Sequence, residues 1–145
     1  MKAVIIRINK GKIFVKDKLI AYIDKGLAVF LGIAKKDRRE DLKKMVDKVL
    51  NLRIFEDNEG KLNYSLKEKG YSLLCIPNFS LCASLEKGRR PSFEEVKPKE
   101  EAKSFFEEFV TFVGKEGINV KKGIFGEYMK IDLEIEGPLN IIIDI

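Results

Sequence analysis

A chain of 145 residues, 45% hydrophobic and 35% charged, has the size and polarity of one ordinary globular domain and excludes a disordered tail or a bilayer-embedded bundle. Its 28 Lys and Arg against 23 Asp and Glu leave a net charge of +5, which admits a polyanionic partner without demanding one. Histidine is absent, which removes the Ser-His-Asp triad, the Cys-His pair and the commonest zinc ligand. The two cysteines, Cys75 and Cys82, have neither CxxC nor zinc-knuckle spacing and read as core residues.

The first third alternates short apolar runs with turn-like breaks: Ala3 to Ile8, Lys12 to Val15, Leu19 to Ile23 and Leu27 to Ile33. Hairpin-connected strands are expected, with Asn9-Lys10-Gly11 and Asp24-Lys25-Gly26 supplying glycines for tight turns. From Arg38 the period becomes helical, with Leu42, Met45, Val46, Val49 and Leu50 on one face. Asp57-Asn58-Glu59-Gly60 reads as a turn, and Tyr71 to Ile76 as a buried strand running into Pro77. Residues 82 to 98 form a polar, proline-bearing loop of a length that is often functional.

A second helix carries Ala102, Phe105, Phe106, Phe109, Val110 and Val113 on one face and ends at Gly117. Val120, Met129 to Ile135 and Leu139 to Ile145 supply further strands, broken by Gly123, Gly126 and Gly137-Pro138. No repeat or linker divides the chain. The expectation is a single α+β domain over residues 1–145, a largely antiparallel sheet or barrel packed with two amphipathic helices. No apolar run approaches the roughly 20 residues of a bilayer span, and the start lacks the pattern of a signal peptide, so a cytosolic location is expected.

Phosphate-loop signatures are missing, and the carboxylates are scattered without metal-ligand spacing, so neither a metal nor another cofactor is expected. Three places stand out. Ser80 follows an apolar strand, where a hydroxyl and successive backbone N–H groups can face a developing oxyanion. Gly137-Pro138 interrupts an apolar stretch, where proline removes a ladder hydrogen bond. Lys87, Arg89 and Arg90 place three cations within four positions, suited to phosphates, with Phe93 beside them to stack on a base or anchor the loop.

Taken together the segments resemble the D-aminoacyl-tRNA deacylase family over the whole chain. The carriers are Met1-Lys2-Ala3-Val4-Ile5 with Arg7, Asn51-Leu52-Arg53-Ile54-Phe55 with Asp57 and Gly60, and Lys87-Gly88-Arg89-Arg90-Pro91-Ser92-Phe93. Gly123, Phe125, Gly126 and Met129 follow, and then Gly137-Pro138. The chain departs from the family's usual pattern at Pro77-Asn78-Phe79-Ser80-Leu81, where Ser-Gln-Phe-Thr-Leu is typical. It departs also at Ile124 for arginine, Ile135-Glu136 for Asn-Asp, and Asn140 for threonine.

The resemblance implies hydrolysis of the ester of D-aminoacyl-tRNA, and of mischarged glycyl-tRNA, by a homodimer. Backbone amides of Phe79 and Ser80 would form an oxyanion hole next to Asn78, with the Ser80 hydroxyl as the rival, nucleophilic route. Gly137 and Pro138, joined by a cis bond, would enter the other subunit's site and reject L-residues. Lys87, Arg89, Arg90 and Phe93 would bind the tRNA, and Phe125, Gly126 and Met129 would form the pocket. The competing expectation is a noncatalytic RNA-binding module built on the basic loop 87–93.

Overall fold

The spine of the fold is one long strand, β1 (Lys2–Val15), in a computed structural model that describes residues 1–145. It pairs antiparallel with three neighbours: β2 (Lys18–Ile23) along Gly11 to Val15, β3 (Gly26–Gly32) along Lys2 to Ile8, and the last strand of the chain, Lys130–Asp144, along most of its length. β3 continues the sheet through two parallel pairings, to the strand Ser72–Pro77 and from there to the strand Val120–Lys122. The result is a mixed, nearly closed barrel-like sheet. The antiparallel expectation holds around β1, whereas the parallel pairs arise because helices, not hairpins, connect those strands.

The remaining elements fill the crossovers. α1 (Arg39–Asn51) buries Leu42, Met45, Val46, Val49 and Leu50, the face expected from the spacing. β4 (Phe55–Glu56) and β5 (Leu62–Tyr64) form a small hairpin across the Asp57 to Gly60 turn. A short α2 (Leu66–Lys69) was not expected. Ser65 caps it, with the Glu68 carboxylate accepting the Ser65 N–H at 2.8 Å. β6 (Ser72–Pro77) and one 3-10 turn, Phe79–Cys82, precede α3 (Lys99–Lys115), then β7 (Val120–Lys122) and β8 (Lys130–Asp144). On α3, Ala102, Phe105, Phe106, Phe109 and Val113 are buried, and Val110 only half so.

β3 and β6 are apolar on both faces because both are covered. Leu27, Val29, Leu31, Leu73 and Cys75 join the larger core under α1 and α3, while Ala28, Leu74 and Ile76 alternate into the smaller one with Ile8, Ile13, Ala21 and Ile23. Burial pushes both the Cys75 and the Cys82 thiol up, as befits packing residues.

Two expected breaks are continuous strand, and a third, Asp24-Lys25-Gly26, is a bend and not a hairpin turn, since β2 and β3 follow one another along β1 in one register, Gly11 with Ile23 and Ile8 with Gly26. β1 runs through Asn9-Lys10-Gly11, where a methyl on Gly11 would lie 2.8 Å from Leu74 Cδ2. The glycine there permits close packing, and the turn falls instead at Lys16-Asp17, both at positive φ. Likewise Gly137-Pro138 does not end a strand. It bulges from β8 between the pairs Ile8 with Ile135 and Ile6 with Asn140.

Candidate active site

At the end of β6 the chain turns sharply. The Asn78 amide donates to Leu31 O at 2.9 Å, extending the β3 pairing, and Asn78 Oδ1 then accepts the Ser80 amide at 3.2 Å and the Ser80 hydroxyl. Asn78 thus caps the 3-10 turn Phe79–Cys82. The turn can approach the sheet because residue 32 is glycine. A Cβ there would sit 2.9 Å from Asn78 O and 3.1 Å from Cys82 Sγ.

This geometry separates the two amides expected to act together. The Ser80 N–H is already bonded to Asn78, whereas the Phe79 N–H, first in the turn, has no partner among the loop, turn and side-chain bonds. Ser80 itself has no base against its hydroxyl, only the Asn78 carbonyl oxygen, so nothing raises it toward an alkoxide.

The Phe79 ring is 57% exposed and meets Phe93 edge-on at 5.1 Å between centroids. A cleft of about 350 Å³ opens beside it, lined by Pro77, Phe79, Val96, Lys97, Phe125 and Gly126, with Lys99 and Ala102 of α3 completing the wall. Phe125 leans on Phe106 of the core at 6.0 Å. Met129 lies behind the wall: a methyl on Gly123 would lie 2.6 Å from its sulfur and 3.2 Å from Pro77 Cδ. Of the expected pocket residues, Phe125 and Gly126 line the cleft and Met129 supports it.

The basic loop closes on itself through two reciprocal 2.9 Å backbone bonds between Ser84 and Ser92, so its tip projects as a hairpin. Lys87 reaches Glu94 at 3.5 Å, a solvent-exposed pair of small worth. Arg89 and Arg90 make no ion pair or side-chain hydrogen bond in the fold, leaving both guanidinium groups open to a partner. The lysines Lys97 and Lys99 on the cleft were missed from sequence, since nothing marks them out among 28 Lys and Arg.

Gly137 and Pro138 are exposed, joined by a cis peptide bond, and are not among the residues that line this cleft. The bulge faces Arg7, at the β3 end opposite to the Phe79 turn. Four residues of strand rise and three strand spacings separate them, roughly 13 Å along and 14 Å across the sheet. Arg7 is buried and tethers the neighbourhood: Nη1 donates to Ile54 O at 3.0 Å, Nη2 to Glu56 at 3.2 Å, and Nε stands 3.3 Å from Glu136 Oε2, off the hydrogen-bond axis. Lys25 pairs with the same Glu136 at 3.0 Å. The residue before the Gly-Pro is therefore fixed by two cations while the Gly-Pro itself faces solvent.

Known proteins share both the sequence and the fold. A family model described as D-Tyr-tRNA(Tyr) deacylase matches residues 4–144. Proteins named D-aminoacyl-tRNA deacylase from Clostridium perfringens and Aquifex aeolicus are each 46% identical over 144 residues, which is 99% of this chain and 97% of theirs. A solved structure described as c-Myc DNA Unwinding Element Binding Protein superimposes with a TM-score of 0.93 at 36% identity, covering 99% of this chain and 98% of that one. A probable eukaryotic D-amino acid tRNA deacylase has the same fold, with a TM-score of 0.84 at 22% identity over 99% and 98% of the two chains. The shared sequence and topology thus define a deacylase-type domain. The chain belongs to the D-Tyr-tRNA(Tyr) deacylase family. No helix is long and apolar enough to cross a membrane.

Proposed function

We propose that this chain, a D-aminoacyl-tRNA deacylase by its family, releases free D-amino acid from tRNA through a site assembled from two subunits. Water attacks the aminoacyl ester carbonyl, the Phe79 N–H receives the developing oxyanion, and the C–O bond to the terminal ribose breaks. The Ser80 N–H joins only when Asn78 releases it. An aminoacyl ester is labile, so positioning and one or two amide donors suffice without a histidine, and the terminal ribose hydroxyl assists.

Selection falls to Gly137-Pro138 of the second subunit, whose carbonyls receive the substrate's α-ammonium and whose ring blocks the side chain of an L-residue. Glycine, with hydrogen in both positions, passes the same wall. The observation that carries the two-subunit reading is the separation of the Gly-Pro bulge from the Phe79 cleft within one chain, together with the exposure of Ile135 and Ile142 on the strand that bears the bulge. Lys87, Arg89, Arg90 and Phe93 hold the tRNA end near the cleft.

Mixing two inactive variants tests it. Phe79→Pro removes the amide donor and Gly137→Ala distorts the bulge, so a mixed dimer retains one intact site. Random reassortment should then restore about a quarter of normal D-tyrosine release. No recovery, with mixed dimers demonstrated, would sink the shared site. A protein that binds D-tyrosyl-tRNA but releases no D-tyrosine would instead return the basic-loop RNA-binding module to favour.

A further inference from the structure

Lys97 is an unusual lysine. It is 7% exposed, yet no carboxylate lies within ion-pair distance of it. Its ammonium donates once, to Lys35 O at 3.0 Å, and rests 4.7 Å from the Phe105 ring centroid. A carbonyl and an aromatic face are weak substitutes for a lost hydration shell, and an ammonium has three donors. Such a group asks for an anion, and Lys97 forms part of the cleft wall.

Lys99 stands on the same wall without an ion pair or hydrogen bond. Its Nζ lies across Gly126, where an added methyl would be only 3.3 Å away, so the glycine keeps the rim open to that ammonium. Both lysines flank the start of α3, but Glu100 and Glu101 share that first turn and weaken the field of the helix end. The two lysines of this wall, rather than the helix, supply the positive charge beside the cleft.

We propose that Lys97 and Lys99 form a phosphate subsite inside the cleft, which grips the phosphodiester on the 5′ side of the terminal nucleotide of the acceptor end. Naming the phosphate as that one rests on the deacylase reading; the anion site does not. The basic loop, which ends at Phe93 against the Phe79 ring, is suited to phosphates further along the strand. Lys97 and Lys99 are positioning residues: they set where the terminal sugar, and with it the ester, meets the Phe79 amide.

Calorimetric titration of the intact protein with AMP and with adenosine tests this without any hydrolysis. The 5′-phosphate should tighten binding about tenfold, and Lys99→Met should bring the ratio of the two affinities close to one. Lys97→Met should do the same if it folds, and the exposed Lys99 keeps the test decisive if it does not. Equal affinity for AMP and adenosine in the unaltered protein, or a ratio unchanged by Lys99→Met, would overturn the subsite. Inorganic phosphate separates a pocket for nucleotide-linked phosphate from a free-anion site: phosphate binding as tightly as AMP would also overturn it. Should the protein bind AMP as described and yet release no D-tyrosine, the subsite stands and the deacylase reading fails.

Discussion

The turn at Pro77–Cys82 and the bulge at Glu136–Pro138 are both main-chain devices at strand irregularities, yet they are stabilised in opposite ways. The turn is held entirely by its own chain: Leu31 O anchors it, Asn78 caps it, and Gly32 admits it against β3. The bulge is gripped at one side only, where Arg7 and Lys25 hold Glu136, and Gly137 and Pro138 are exposed. A segment whose polar groups are satisfied at home can present one unpaired donor. An exposed segment leaves its carbonyls free for the second subunit proposed above.

The sharpest way to test that contrast is to damage each half by its own weakness. Phe79→Pro places proline at the first position of the 3-10 turn, where its fixed φ is tolerated, while deleting the amide, and deacylation of D-tyrosyl-tRNA should fall by about 10²–10³. Gly137→Ala places a methyl 2.6 Å from Leu139 N at φ +128, and turnover should drop about a hundredfold through misplacement of the bulge. A normal rate in either variant would detach that segment from the chemistry.

Gly32→Ala attacks the support instead. The crowding against Asn78 O and Leu81 should cost about 1–3 kcal/mol in urea unfolding, and activity should fall as the turn is pushed from β3. A stable but inactive protein would show that the turn's position matters more than the fold's margin. Ser80→Ala should change turnover less than about tenfold, whereas a serine acyl-enzyme would lose on the order of 10⁶.

The smallest effect lies away from both segments. The Ser65 backbone amide, then its hydroxyl, hold the Glu68 carboxyl below its ordinary value of 4.5. A carboxylate with a depressed folded value stabilises fully above its unfolded value, and that contribution fades as pH falls through the folded one. Glu68→Gln should therefore lower the urea midpoint at pH 7, with the gap narrowing toward pH 3. A gap independent of pH would show that Glu68 acts by its cap geometry alone.

The helices were legible because burial of one face imposes a period of 3.6 on local residues, as in Leu42 to Leu50, and β3 because burial of both faces gives a short continuous apolar run, Leu27 to Leu31. The glycines misled where their purpose is contact and not turning: Gly11 and Gly26 serve close approach to Leu74 and Ser72, a reason invisible without the neighbouring strand. The parallel pairing of β3 with β6 was equally hidden, since hydrogen-bonded strands distant in sequence leave no local mark.

The residues of the candidate site could be named from sequence through the family's motifs, but their division of labour could not. Sequence alone determined which segments form helix or strand, which residues seek the interior, and that no histidine-based chemistry is available. Only the tertiary structure decided that the Ser80 amide is occupied and the Phe79 amide open, that Lys97 is buried without a counter-charge, and that Gly137-Pro138 lies far from its own cleft. These are facts about distance between residues remote in the chain, and long-range distance is set by how sheet and helices pack, not by the order of residues along either.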